Sequence, residues 1–159
     1  MAQLLGEYEC KIDAKGRMRL PAQLLKQLGE DSSSTFVMNR GLEKHLVLYP
    51  KKVWDKISAQ VDALNAYDRN NRKFVRYFYR GAQQIRVDGA DRILINKRLL
   101  DFAEIGKEVV LFAQGYQIEV WSKAAYEAMM DEEPGDDIIS LAENVMSNIT
   151  INLDDDGVS

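Results

Sequence analysis

The sequence has little of the chemistry on which disulfides, metal centres and nucleophilic catalysis depend. It contains one cysteine, Cys10, and one histidine, His45. A single cysteine excludes an internal disulfide and is typical of a reducing compartment, so we expect a cytoplasmic protein. One cysteine and one histidine cannot supply the four ligands of a usual zinc site, and we therefore expect no metal centre.

Long apolar runs and cofactor motifs are also missing. No run approaches the roughly 20 apolar residues that cross a bilayer. Residues 1–7 lack the basic and apolar regions of a signal peptide. Neither the glycine-rich dinucleotide pattern nor the phosphate-binding loop is present, and His45 stands in a turn-to-strand segment with no nucleophile beside it. We expect no membrane span, no cofactor, no small-molecule substrate and no catalytic residue.

The charge of the chain is unevenly distributed. The 159 residues carry 21 Lys and Arg against 25 Asp and Glu, a formal charge of −4. Nine of the acidic residues and none of the basic ones fall in residues 131–159, which leaves 21 basic and 16 acidic side chains, a charge of +5, for the other 130. A basic body with an acidic tail is compatible with a polyanionic partner. We expect the tail to be mobile, apart from a short helix near residues 138–146.

The chain contains an internal repeat. At an offset of 75 positions Gly6 aligns with Gly81, and at the same offset Asp13 aligns with Asp88. Farther along the chain the offset becomes 72. Identity at turn residues, with apolar substitutions elsewhere, favours a duplicated unit. We predict four segments: a first module at 1–67, a helical linker at 68–80, a second module at 81–131 and the acidic tail at 132–159.

Each module has the pattern of an α+β, β-rich unit. Residues 8–12 alternate as a strand, and residues 18–20 resume one to complete a β-hairpin or a similar tight reversal. The turn-forming residues are Asp13, Gly16 and Asp88, since aspartate can bond the backbone ahead of it and glycine can take a positive φ. Helices are predicted at 21–28, 51–64, 98–102 and 122–130, and further strands at 36–38, 46–49, 84–87, 93–95, 109–113 and 118–121. Two such units could pair their strands into one closed, barrel-like sheet without free edges.

Basic residues concentrate around the two turns. Four of them fall within nine residues at odd-numbered positions, which share one face of a strand: Lys11, Lys15, Arg17 and Arg19. In the second copy Arg86 and Arg92 flank the equivalent turn. An arginine can bond guanine O6 and N7 together, while lysines contact phosphates. These residues are therefore candidate contacts to double-stranded DNA, and the alternative is an ordinary solvated β-face.

A second basic set lies in the predicted linker helix. Its members follow i, i+3, i+4, i+7 and i+11 spacing, with no acidic residue between Asp68 and Asp88: Arg69, Arg72, Lys73, Arg76 and Arg80. They therefore share one helical stripe. We interpret this stripe as an exposed face or as a source of salt bridges to a neighbouring subunit.

The two turns and their surroundings resemble the MraZ family, which belongs to the AbrB-like class of swapped-hairpin DNA-binding proteins. The match rests on Gly6 followed by Asp-Ala-Lys-Gly-Arg-Met-Arg-Leu-Pro at residues 13–21, and on a second copy that begins at residues 80–82. The resemblance implies two tandem AbrB-like β-hairpin modules forming one pseudo-symmetric double-hairpin barrel with flanking helices. On this view Arg17 is the leading base contact, Lys15 and Arg19 support it, and Arg92 is its counterpart.

The function that the resemblance implies is transcription regulation. A member of this family would regulate the division and cell-wall gene cluster, bind direct repeats upstream of its own operon as a ring-shaped homo-oligomer, and associate with the nucleoid. The second copy departs from the pattern, because Asp91 stands in place of the glycine and Asn96 in place of the proline. Asp tolerates a left-handed turn, so we expect the loop to survive. Because Asp91 places a negative charge beside Arg92, we expect the first copy to dominate DNA binding, while the second closes the barrel and builds the oligomer.

Two other classes of function stay open at this point. The chain could be a protein-interaction or assembly module that engages a partner enzyme through Trp54, Tyr126 or the acidic tail. An enzyme acting on an acidic small molecule ranks third, because it needs a pocket that the sequence does not reveal.

Overall fold

The computed structural model describes residues 3–29, 35–132 and 135–147 of the chain. Met1–Tyr126 forms one compact unit, and Glu127–Ser159 forms a second. The strands are β1 (Leu4–Lys11), β2 (Arg17–Arg19), β3 (Thr35–Arg40), β4 (Leu46–Pro50), β5 (Gln83–Arg86), β6 (Arg92–Leu94), β7 (Glu108–Gly115) and β8 (Gln117–Ser122). The helices are α1 (Ala22–Leu28), α2 (Lys51–Asp62), α3 (Arg69–Tyr79), α4 (Lys97–Phe102), α5 (Lys123–Asp131) and α6 (Gly135–Met146).

The order of the elements follows the predicted α+β repeat, with each module running strand, strand, helix, strand, strand, helix. The predicted linker helix is α3, and the short helix expected near 138–146 is α6. The predicted mobility of the tail falls largely on residues 148–159, which lie outside the described residues. Within the described ranges, every helix is too short or too polar to cross a membrane.

The strands of the two repeats interleave in one antiparallel sheet. Its order is β1-β7-β8-β4-β3-β5, and β2 and β6 form a separate two-stranded ribbon. Among the described strands, only β3–β4 and β7–β8 are hairpins within one repeat, whereas β1–β7, β4–β8 and β3–β5 each join strands of different repeats. Neither repeat therefore has a complete sheet of its own, and the two fold as one unit.

The sheet is open rather than closed. Strands β1 and β5 are its edges. Strand β1 leads through the first turn into β2, and β5 leads through the second turn into β6, so the ribbon is connected to both edge strands. Closure into the predicted barrel is not confirmed and stays a prediction.

The first turn is a tight reversal, which the sequence pattern allowed as the alternative to a β-hairpin. The tight turn is present, because the Asp13 amide donates to the Arg17 carbonyl at 2.9 Å. However, β2 pairs along its length with β6 of the other repeat. A single bridge, between Met18 and Ile12, links β2 to the residue that follows β1. Burial explains the exchange, since Met18 faces Ile93 across the ribbon and both are fully buried.

The apolar core of the first unit lies between this ribbon, the helices α1 and α4, and the six-stranded sheet. Among its members are the fully buried large side chains Met18, Leu20, Leu24, Phe36, Met38, Leu46, Leu48, Ile93, Ile95, Leu99, Leu111 and Ile118. Corresponding positions of the repeats appear together in this set, for example Leu20 with Ile95 and Leu24 with Leu99. The duplicated apolar pattern thus builds a single core.

The residues that differ between the two turns are accommodated locally. Gly16 has φ +87°, and Asp91 at the equivalent position has φ +61°, so aspartate does take the left-handed conformation there as expected. Pro21 precedes α1 without a side-chain cap, whereas the Asn96 side chain accepts from the Leu99 amide and caps α4. Asparagine therefore replaces proline without loss of the helix start.

Gly16→Ala should destabilise the fold, while Asp91→Gly should not. A Cβ at Gly16 would lie 2.6 Å from the Ile95 carbonyl oxygen, in a backbone conformation that disfavours side chains. We expect a loss of about 1–3 kcal/mol in the free energy of unfolding, measured by urea denaturation. If Gly16→Ala and the wild type had equal free energies of unfolding, the backbone around Ile95 would have to move to accept the added methyl group.

His45 is a buried imidazole held against a tryptophan. Its ring stacks on Trp121 with centroids 4.3 Å apart, and its Nε2 lies 3.8 Å from a Glu119 carboxylate oxygen. Its buried Nδ1 has no hydrogen-bond partner among the described residues. Burial lowers the pKa of His45, and the nearby carboxylates of Glu119 and Glu43 offset this only in part.

The lowered pKa of His45 predicts a loss of stability on acidification. The unfolded chain takes up the proton more readily than the folded one, so stability is present above the ordinary histidine pKa of about 6.5 and falls as the pH drops through it. His45→Phe keeps a ring against Trp121 and should flatten this pH dependence. Urea denaturation of both proteins between about pH 7.5 and 5.5 measures the effect, and identical profiles would contradict it.

Candidate nucleic-acid interface

The two turns have the same geometry. In the first, Asp13 accepts from the amides of Lys15 and Arg17, each at 2.9 Å. In the second, Asp88 accepts from the amides of Ala90 and Arg92, at 2.8 and 3.0 Å. Each aspartate thus fixes a tight turn through two backbone hydrogen bonds. The predicted turn-forming role of Asp13, Gly16 and Asp88 matches this geometry.

Each turn aspartate also holds an arginine side chain. The Arg17 Nε donates to Asp13 at 2.9 Å, and the Arg92 Nε donates to Asp88 at 3.0 Å. The arginine side chains are 37% exposed in both turns. Because the aspartate takes Nε, the Nη groups stay available, and the described residues supply them with no hydrogen-bond acceptor. Both guanidinium groups are therefore oriented before any ligand arrives.

Hydrogen bonding also shifts the turn carboxylates. The Arg17 amide lowers the pKa of Asp13, with smaller contributions from the Arg17 side chain and the Lys15 amide. The Arg92 amide lowers the pKa of Asp88 in the same way. Both carboxylates are therefore charged throughout the neutral range, and the turns should loosen only as the pH falls below the ordinary range of aspartate.

Antiparallel pairing brings three arginines to one face of the ribbon. Arg17 is opposite Leu94, Arg19 is opposite Arg92, and the central pair Met18–Ile93 points to the core. Directly opposed residues share a face, and so do alternate residues of one strand. We call the solvent side, which comprises Arg17, Arg19, Arg92 and Leu94, the ribbon face.

The ribbon is held together by reciprocal backbone bonds. The Ile95 amide donates to the Gly16 carbonyl at 2.9 Å, and the Leu20 amide donates to the Asp91 carbonyl at 2.8 Å. These two bonds are equivalent under the 75-residue offset. Each turn is therefore secured by the strand of the other repeat, and the ribbon face has a pseudo-two-fold arrangement.

The other predicted contacts lie around this face. Lys15 is exposed in the first turn, and its counterpart in the second is Ala90. Lys11 ends β1 opposite Glu108, while its counterpart Arg86 ends β5, and both are exposed. The six predicted residues thus divide into three on the ribbon, one in the first turn and two at the ends of the strands that lead into the turns.

Sequence reasoning missed two properties of this face. It assigned the basic residues of each turn to separate hairpins, whereas the exchange of strands brings Arg92 next to Arg19. It also passed over Leu94, which is 53% exposed among the arginines. The 75-residue alignment pairs Leu94 with Arg19. The sequence therefore already shows that the second repeat has an apolar residue where the first has an arginine.

The aromatic residues considered for a protein partner are buried. Trp54 is 8% exposed and stacks on Phe78, with ring centroids 5.1 Å apart. Tyr126 is 5% exposed, and its hydroxyl donates to Glu7 at 2.8 Å. Neither side chain is available to a partner, which corrects that expectation.

Among the described residues, no group of three His, Cys, Asp or Glu side chains could hold a metal ion.

Taken with the fold, these features define a duplicated protein whose two repeats exchange strands and present paired Asp–Arg turns on a cationic face. The family model described as "MraZ protein, putative antitoxin-like" matches the chain twice, at residues 3–77 and 78–144. The chain belongs to the MraZ family, and the two matches confirm its duplication. The finer boundaries predicted at 67, 80 and 131 stay predictions.

Curated relatives extend over nearly the whole chain. Two proteins named transcriptional regulator MraZ align over 160 positions and cover both chains fully, at 39% identity in Flavobacterium psychrophilum and 41% in Christiangramia forsetii. A third with the same name, from Cytophaga hutchinsonii, is 34% identical over 142 positions, which cover 89% of this chain and 93% of its own. The chain is therefore similar along its length to proteins named as transcription regulators.

The pKa of Asp13 should lie below the ordinary aspartate value of about 3.9 in a carboxyl-carbon NMR titration. Arg17→Ala should raise it only in part, since the Arg17 backbone amide, which has the largest effect, remains. Asp88 in the same sample serves as the internal control. A pKa at the ordinary value for Asp13 in the wild type would contradict the turn geometry.

Proposed function

We propose that the chain is a sequence-specific transcription regulator that binds double-stranded DNA through the ribbon face and the two turns. It would act in the cytoplasm, at the nucleoid, on direct repeats upstream of its own operon within the division and cell-wall gene cluster. The observation that carries this proposal is the fixed pair Arg17 and Arg92, each held by a turn aspartate through Nε and each with Nη groups that meet no acceptor among the described residues.

The shape of the ribbon supports contact with bases. A two-stranded β-ribbon fits the major groove of B-DNA, where an arginine can bond guanine O6 and N7 with two donors. Because Asp13 and Asp88 fix the side chains beforehand, less conformational entropy is lost on binding. The exposed Leu94 offers an apolar group of the kind that contacts a thymine methyl.

The lysines and Arg86 would supply the sequence-independent part of the affinity. Lys11, Lys15 and Arg86 lie next to the turns and are exposed. Long cationic side chains in such places contact phosphates and fix the orientation of the protein on the duplex. Arg19 has no carboxylate partner among the described residues, and it would contact either base edges or phosphates.

A homo-oligomeric ring would multiply weak individual contacts. Several copies of the ribbon face, presented to directly repeated sites, raise the effective concentration of each contact. The relatives are named as transcription regulators, and the resemblance on the turn residues implies the ring. We propose that the first turn dominates, because it has Lys15 where the second turn has Ala90, and because Asp91 places a carboxylate beside Arg92.

The proposal predicts unequal effects of two matched substitutions. Arg17→Ala should lower affinity for the DNA immediately upstream of the gene by about 1–3 kcal/mol for each guanine that the arginine bonds with two donors, and Arg92→Ala should lower it less. Fluorescence anisotropy with that duplex and with a scrambled one measures both affinity and preference.

Two controls make this test decisive. Arg17→Lys keeps the charge without the two-pronged geometry, so it should recover affinity for the scrambled duplex but not the preference. Lys52→Ala on α2 removes an exposed charge away from the turns and should change neither. Full affinity and full preference in Arg17→Ala, with the circular dichroism spectrum unchanged, would refute the assignment of Arg17.

A further inference from the structure

Helix α3 carries a strong positive charge that the ribbon face does not use. Four cationic side chains lie along one side of it, and a fifth follows directly after its end in extended backbone; all five are exposed: Arg69, Arg72, Lys73, Arg76 and Arg80. We call this set the α3 stripe. Over 11 residues a helix rises about 16 Å, so the stripe forms an elongated surface of one charge.

The stripe has no neutralising partner among the described residues. None of its five members takes part in an ion pair there. The nearest acidic residues in the sequence have other roles, since Asp62 accepts from the Tyr79 hydroxyl at 2.6 Å and Asp68 caps the first turn of α3. Salt bridges among the described residues therefore do not account for the stripe.

The C-terminal end of α3 is fixed to the sheet by hydrogen bonds to its last carbonyls. Asn39 donates to the Phe78 carbonyl at 2.6 Å. Arg40 donates to the carbonyls of Tyr77 and Arg80, at 3.1 and 3.0 Å, and lies over the Tyr77 ring. Two residues of β3 thus satisfy three carbonyls that a helix end otherwise leaves free.

The N-terminal end of α3 is fixed as well, and its aromatic residues lie on a different side from the cations. Asp68 accepts from the amides of Asn70 and Asn71. Phe78 stacks on Trp54 of α2 and on Phe74, with ring centroids 5.1 and 6.0 Å apart. Fixed at both ends and packed through its aromatic residues, the helix holds the stripe toward solvent as a preorganised surface.

We propose that the α3 stripe is a second DNA-binding surface, which contacts phosphates of the duplex without reading its sequence. Duplex DNA carries one negative charge per about 1.7 Å of its axis, so the row of cations from Arg69 to Arg76, about 10 Å long, can meet several phosphates. This proposal rests on the proposed function. It extends that function by separating the group that anchors the duplex from the ribbon face that reads it.

A triple variant tests the stripe in the full chain. Arg69→Gln, Lys73→Gln and Arg76→Gln together remove three charges whose side chains make no hydrogen bond among the described residues. Each phosphate contact contributes about 0.9 to the slope of log affinity against log salt. The slope should therefore become less steep by about 2–3, and affinity at about 0.1 M salt should fall by about tenfold or more, equally for the upstream and the scrambled duplex.

The matched control removes three charges elsewhere. Lys26→Gln, Lys52→Gln and Lys56→Gln change exposed lysines of α1 and α2 by the same total charge and should leave the slope within about 0.9 of the wild-type value, the share of one phosphate. A second variant, Arg69→Lys with Arg76→Lys, keeps the charge and should keep the slope. If the triple variant folds poorly, as judged by circular dichroism, the single variant Arg76→Gln should still make the slope less steep by about 0.9.

The outcomes separate the stripe from the ribbon face. An unchanged slope in the triple variant, an equal change in the lysine control, or a loss confined to the upstream duplex would overturn the stripe proposal. The stripe proposal would also be overturned if the triple variant had a lower oligomer mass by light scattering and an unchanged salt slope. The stripe would then bind a second copy of the chain instead of DNA. If the wild type does not prefer the upstream duplex but the triple variant still flattens the slope, the proposed function fails and the stripe stands.

Discussion

The pairing of β2 with β6 is the interaction on which the rest of the molecule depends. Three residues from each repeat form this ribbon, which buries Met18 against Ile93 and is closed at its ends by the reciprocal bonds of Gly16 and Asp91. Pairing each short strand with the other repeat places both apolar side chains at the centre of the ribbon, where they are buried. The same pairing determines which arginines become neighbours, so the core and the candidate DNA surface have one common cause.

Two basic surfaces emerge from this framework by different means. On the ribbon face the arginines are fixed by carboxylates four residues earlier in the chain, and the backbone amides keep those carboxylates charged. On α3 the cations have no carboxylate partner among the described residues, and the helix is held to the sheet by hydrogen bonds from Asn39 and Arg40 to the carbonyls at its end. The first arrangement suits directional contacts to base edges, and the second suits contacts to phosphates, which need only charge in the right place.

Much of the fold could be predicted from local patterns. The strand alternation, the helical spacing and the turn residues at Asp13 and Gly16 depend on neighbours in the sequence, and the 75-residue offset exposed the duplication. The partner of β2 could not be predicted, because a three-residue strand carries no information on which edge it will join, and the tight turn before it suggests the nearest one. For the same reason each of the six candidate DNA contacts could be named from the sequence, but the proximity of Arg19 to Arg92 could not be predicted. Burial of Trp54 and Tyr126 depends on distant elements and was likewise missed.

The exchange of strands has a consequence for the order in which the chain can mature during its synthesis. The first turn is complete at residue 17, yet the backbone donor that secures Gly16 belongs to Ile95. Some 78 residues must therefore emerge from the ribosome before the first turn is locked, and strand β1 waits longer still for β7. Contacts of such long range form slowly. A nascent or truncated chain thus bears the first turn without the strand that secures it, and the ribbon face is complete only when both repeats are finished.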